Sequence, residues 1–203
     1  MPVPDAKHHR VTSRCDLQRR AINLADMTTA PTAKSSGVPA VFLDRDGVLN
    51  VDSGYPHLEE HLELIPGAAA AVQLLNRHGY LVVIVTNQSG VARGLFTEAQ
   101  MNAFNTHLVR RLGAKGALIG AVYSAPWHHE ATDPAWFHLD HPDRKPNPGM
   151  LLRAIAEHNI DPARSFMIGD RPSDMEAGRR AGVQSFLFHG PNLYDFVQEL
   201  LGV

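Results

Sequence analysis

Four short stretches hold residue types that could manage an anion and a cation together. Asp44-Arg-Asp46-Gly47 follows the apolar run Ala40–Leu43, and Thr86-Asn87-Gln88-Ser89 follows Leu81–Val85. Arg144-Lys145-Pro146 precedes a helical pattern, and Gly169-Asp170 with Asp174 follows Ser165–Ile168. Carboxylates are hard oxygen ligands of the kind Mg²⁺ accepts. A threonine hydroxyl and a lysine ammonium suit the oxygens of a transferring phosphoryl group. A lone Asp-x-Asp is common in loops and helix caps. The ordered set, each member at the exit of an apolar run or beside one, is much more specific.

The elements that must position these residues follow from the pattern between them. Near-continuous apolar runs at 40–43, 81–85, 119–123, 165–168 and 184–188 read as strands buried on both faces of a parallel sheet. Helices are expected near 67–78, 97–112, 148–158, 173–181 and 193–201. Thr97-Glu-Ala-Gln100 and Ser173-Asp-Met-Glu176 read as capping boxes. Asn147 before Pro148 reads as an N-cap, and Gly79 as a C-cap. Strand–helix alternation means an α/β fold, a doubly wound parallel sheet whose chemistry gathers beyond the strands' C-terminal ends.

Composition sets the outer limits. A chain of 203 residues, 44% hydrophobic and 20% charged, fits one soluble globular domain. Its net charge of −2 argues against a nucleic-acid binder. No apolar run reaches the ~20 residues of a membrane span, and the N-terminus has no signal-peptide pattern. The single cysteine, Cys15, excludes an intramolecular disulfide and agrees with the cytoplasm. Residues 1–38 have a linker composition and read as a flexible arm, with Met27 as an alternative start; the phosphate-handling motifs lie in 39–203.

The motif set resembles that of the haloacid dehalogenase superfamily. The longer stretches Phe42–Asn50, Thr86–Gly94, Phe96–Gln100 and Arg144–Leu152 are similar to the D,D-heptose 1,7-bisphosphate phosphatases and their histidinol-phosphatase relatives. The resemblance covers about residues 38–190. It implies strand order 3-2-1-4-5 and, with short gaps between motifs, no cap domain. It further implies a Mg²⁺-dependent phosphomonoester hydrolase with Asp44 as nucleophile and Asp46 as general acid. Thr86 and Lys145 would stabilise the phosphoryl group. Asp44, the Asp46 carbonyl and Asp170 would hold Mg²⁺, with Asp174 orienting them from behind. Arg144 would recognise substrate, Asp52, Ser53, Gly54 and Tyr55 would form a flap, and Asn87, Gln88 and Ser89 would line the site. Arg171 stands where the family often has Lys. A small phosphorylated molecule is the expected partner of a monomeric enzyme. Histidinol phosphate is the alternative substrate, and a sugar-phosphate-binding regulatory module is the non-enzymatic alternative.

One departure stands out. The heptose phosphatases usually carry a zinc loop with Cys-Pro-His and Cys-x-Cys ligands, but here the aligned residues are Ala125-Pro-Trp127 and His141-Pro-Asp143. Four of the twelve histidines lie in this loop. Aromatic packing without metal is the favoured reading. A zinc site rebuilt from His128, His129, His138, His141 and Asp143 competes with it, as does a loop reshaped for another substrate.

Overall fold

The computed structural model describes residues 37–203. The expected flexible arm lies outside them except for Gly37 and Val38. Val38 already belongs to the folded body, because its amide and carbonyl bond Asn159 and Asp161.

Five strands form one parallel sheet: β1 Ala40–Leu43, β2 Leu81–Asn87, β3 Ala121–Ala125, β4 Phe166–Gly169 and β5 Gln184–Leu187. Their order is β3-β2-β1-β4-β5, as expected, and no cap domain is inserted. The helices are α1 Ala68–Arg77, α2 Glu98–Gly113, α3 Gly149–Glu157, α4 Pro172–Arg180 and α5 Leu193–Leu201. The period-2 alternation of strand side chains divides the core. Val41, Leu43 and Ile84 pack with α1, α2 and α5, while Ala40, Phe42, Val83 and Val85 pack with α3 and α4. Both faces of β1 are therefore buried, which is why its sequence is uninterrupted hydrophobe.

Register aligns the strand ends. Leu43 pairs with Ile84 on one side and Ile168 on the other. The residues that follow, from Asp44, Thr86 and Asp170 onward, thus emerge along one edge.

Several local boundaries differ from the sequence expectation. β3 begins two residues later, at Ala121, since Gly120 turns its amide back to the Val82 carbonyl. The Thr97–Gln100 capping box forms. The box at α4 instead uses Arg171 and Asp174: the helix starts at Pro172, and the Asp174 carboxylate accepts from the Arg171 amide at 3.0 Å. Asn147 does not cap α3, whose N-cap is Pro148. Its side-chain amide donates to Asp140 and to the His141 carbonyl, because the loop before the helix needs those bonds more. Gly79 ends α1 as expected, with φ +81°.

Candidate active site

A cavity of about 450 Å³ opens at the C-terminal edge of the sheet. Asp44 and Asp46, on the turn after β1, form its floor with Thr86 of β2, Lys145 and Asp174. A larger groove of about 670 Å³ between α2 and β3 is walled largely by Met101, Val109, Val122, Trp127 and Trp136. It holds none of the motif carboxylates, so the smaller cavity is the candidate site.

Lys145 is the electrostatic centre. Its side chain is 1% exposed, and its ammonium lies 2.9 Å from Asp44 Oδ1 and 2.7 Å from Asp174 Oδ1. The ammonium also donates to the Val85 carbonyl at 2.8 Å. Burial works against this charge, but Asp44 and Asp174 outweigh it and raise the Lys145 pKa. Asn87 docks the lysine backbone reciprocally: its Oδ1 accepts from the Lys145 amide and its Nδ2 donates to the Lys145 carbonyl. The Asn87 amide is thus spent on placing Lys145, although the residue borders the cavity.

One ammonium does not balance the carboxylates around it. Burial pushes Asp44 up to about 7 against the pull of Lys145, and Asp174 and Asp46 add to the rise. Burial and Asp174 also raise Asp170. Asp44, Asp170 and Asp174 offer oxygens within 4.8 Å of one another, and Asp170 Oδ1 is buried with no hydrogen-bond partner. Gly47, at φ +82°, lets the chain pass this carboxylate; a Cβ there would run into it. Surplus buried negative charge and an orphaned oxygen fit a divalent cation.

Asp46 is gripped by four donors. Its Oδ1 accepts from Arg45 Nε and Asn50 Nδ2, both at 2.9 Å. Its Oδ2 accepts from Arg45 Nη2 at 2.8 Å and Gln88 Nε2 at 2.7 Å. Gln88 also donates to the Thr86 hydroxyl at 2.9 Å, so its amide nitrogen links two motifs.

The segment expected to form a flap is tied down at the edge of the cavity. Asp52 pairs with Arg171 at 2.8 Å, and Arg171 Nε is 3.8 Å from Asp170. Arg171, left without an assigned role by sequence, anchors this segment through Asp52. Gly54 and Tyr55 border the cavity, as do Ser89 and Arg144; Ser53 is exposed and does not line it. Arg144 Nη1 is buried without a partner, and burial together with Arg93 lowers the Arg144 pKa.

The histidine-rich loop divides the residues suggested as zinc ligands. Trp127 and His141 stack at 3.6 Å with 6° between planes, and His138 meets His141 edge-on. Three histidines build turns: Nδ1 of His128, His138 and His141 accepts from the amide two residues on, each at 3.1 Å. Asp143 pairs with Arg153. Among the described residues the loop's only grouping with metal-ligand spacing is His128, His129 and Glu130. Its carboxylate lies 2.5 Å from Arg93 Nη1, and the other terminal nitrogen of that guanidinium faces His128 Nε2 at 3.4 Å. A cation there would compete with a guanidinium already in place, so this donor set does not fit zinc.

Sequence reasoning missed Arg45 and Asn105. Arg45 is wholly buried, and its Nη1 donates to Asn105 Oδ1 at 2.9 Å. The available signal was a basic residue set between the two motif carboxylates, two positions past a buried strand.

The sheet order and the site at its C-terminal edge mark the class of haloacid dehalogenase-like hydrolases, and the family model described as HAD-hydrolase-like matches residues 143–190. The chain is 44% identical over 170 residues to the D-glycero-beta-D-manno-heptose-1,7-bisphosphate 7-phosphatase of Rhodopseudomonas palustris, a match covering 84% of this chain and 94% of that protein. It is 42% identical over 149 residues to the protein of the same name from Escherichia coli K12, covering 73% and 78%. Among solved structures, a HAD-like phosphatase from Mesorhizobium loti superposes with TM-score 0.73 at 36% identity, covering 82% of this chain and 87% of that one. The D,D-heptose 1,7-bisphosphate phosphatase from B. bronchiseptica, complexed with magnesium and phosphate, gives TM-score 0.64 at 32% identity, covering 74% and 80%. The chain belongs to this family of heptose-bisphosphate phosphatases, and it is a phosphatase.

Proposed function

We propose that the protein removes the 7-phosphate of D-glycero-D-manno-heptose 1,7-bisphosphate, using Mg²⁺ and a phosphorylated Asp44. The observation that carries this reading is the buried Asp44–Lys145–Asp174 group beside the orphaned Asp170 oxygen. The names of relatives above 40% identity support the choice of sugar.

An oxygen of Asp44 attacks phosphorus as the phosphorus–oxygen bond to the sugar breaks. The bonding pair leaves with the sugar oxygen, which takes a proton from Asp46. Asp46, now a carboxylate, takes a proton from water. The water oxygen attacks phosphorus, the bond to Asp44 breaks, and orthophosphate departs. Lys145 and Thr86 hold the phosphoryl oxygens through both displacements. Mg²⁺, held by Asp44, Asp170 and the Asp46 carbonyl, would offset the repulsion between phosphate and carboxylate. Asp174 orients Lys145. Arg144, with its free buried nitrogen, faces the far end of the substrate, where a second phosphate belongs. A regulatory binding module would have no use for an acid at Asp46.

The histidine-rich loop works without zinc in this reading, supported by its stacked aromatic rings and its histidine turns. Metal analysis of purified protein should find well under one zinc per chain; one tightly bound zinc would overturn this. The enzyme acts as a monomer in the cytoplasm. No helix among the described residues is long and apolar enough to cross a membrane.

A panel of both anomers of the heptose bisphosphate, histidinol phosphate and fructose 1,6-bisphosphate tests the substrate. The highest kcat/KM should fall on one heptose anomer; equal or better turnover of histidinol phosphate would replace the assignment.

A further inference from the structure

Arg45 is a complete cation at 0% exposure in a phosphatase site, and neither the metal, the nucleophile nor the phosphoryl group accounts for it. Burying a guanidinium is costly unless nearly every donor is used. Nε and Nη2 grip the two oxygens of Asp46, and Nη2 also donates to the Pro56 carbonyl at 3.1 Å. Nη1 is anchored by Asn105 of α2, which in turn donates to Ser124. The guanidinium carbon sits 4.5 Å from the centre of the Phe104 ring.

Two features give this arrangement a consequence. The fork engages both oxygens of Asp46 and so fixes the plane and direction in which that carboxyl group is presented. The second feature is that Nη2 is shared with Pro56, the residue directly after the flap residue Tyr55. The flap backbone and the acid therefore draw on one nitrogen.

We propose that Arg45 is a positioning residue that couples the flap to the aim of Asp46, because one guanidinium nitrogen ties the carboxylate and the Pro56 carbonyl together. This rests on Asp46 being the general acid. Arg45 touches neither phosphate nor leaving group in this scheme. It acts through Asp46.

Leaving-group dependence tests it. Single-turnover release is measured for an alkyl phosphate (the heptose bisphosphate, or fructose 1,6-bisphosphate if the heptose proves not to be a substrate) and for 2,4-dinitrophenyl phosphate, whose leaving group needs no proton. Arg45→Lys keeps the charge and removes the fork. It should slow the alkyl ester about 100-fold, within the usual range for general acid catalysis, and slow the activated ester far less. Equal losses on both esters, or none on either, would overturn the inference. If Arg45→Lys fails to fold, Asn105→Leu removes the Nη1 anchor and should show the same selectivity at smaller size; its absence counts equally against the proposal. Asp46→Asn separates the two levels. If it too slows both esters equally, the acid role of Asp46 has failed. If it is selective while the Arg45 and Asn105 variants are not, only the coupling has failed.

Discussion

Lys145 carries two tasks that pull in different directions. In the proposed mechanism it must stay charged to hold phosphoryl oxygens, yet it is buried. Three acceptors resolve the conflict, and two of them are carboxylates. Removing it should leave Asp44 and Asp174 facing each other uncompensated. Lys145→Ala should therefore cost about 3–5 kcal/mol, the range for breaking a buried ion pair from one side. Mg²⁺ should restore part of that stability by supplying the missing positive charge; thermal melts with and without the metal check both points. Asp44→Asn should abolish phosphate release at any Mg²⁺ concentration while the fold survives, and retained turnover would exclude a phosphorylated Asp44. At this scale the sequence was most legible where chemistry demands a type at a fixed place: Asp44, Asp46, Thr86, Lys145 and Asp170 all reach one edge. It was least legible for Arg45 and Arg171. Their partners Asn105 and Asp52 lie 60 and 119 residues away and depend on how α2 and the flap pack.

Between single residues and the sheet stand the flap and the loop that leads into α3. The turn 141–144 is tightly built: the Arg144 amide donates to the His141 carbonyl, and the Gly149 amide donates to the Pro142 carbonyl. A Cβ at Gly149 would lie 2.5 Å from the Pro142 oxygen and equally close to Asp143. Backbone cannot yield there as a flexible side chain would. Gly149→Ala should destabilise by about 1–3 kcal/mol, as overpacking does, and should lower kcat by displacing Lys145 just upstream. Trp127→Ala removes the ring on which His141 rests. It should raise KM for a bisphosphate about tenfold and change kcat little, because Arg144 is displaced and the nucleophile is not. A matching rise for a simple monophosphate would show instead a general loss of the site. The five strands and five helices were readable from period and caps. The start of α3 was not, because the Asn147 side chain serves the preceding loop rather than the helix end.

At the scale of the whole fold, a single parallel sheet lays all four motifs along one edge. The cost is a concentration of negative charge that the protein balances only in part. Mg²⁺ should therefore raise the melting temperature as well as support turnover; at 100 times its dissociation constant, a ligand that binds only the folded state adds about 2.7 kcal/mol. A chelator titration followed by differential scanning calorimetry measures this, and an unchanged melting temperature would mean that the carboxylates are already satisfied. The sheet order was legible through the family resemblance that the ordered motifs carry. The latch that covers the site was not, because nothing in the spacing of Asp52 and Arg171 points from one to the other.

That latch has a consequence for how the enzyme meets its surroundings. Arg171 is 62% exposed and Asp52 31%, so the bond that fastens the flap lies within reach of dissolved ions. Exposed ion pairs weaken as the screening length contracts, from about 10 Å at 0.1 M salt to about 3 Å at 1 M. Access to the proposed site should thus respond to the medium as well as to the protein. Brine should loosen the cover and dilute buffer should tighten it, which would make an ordinary electrolyte a throttle on the site.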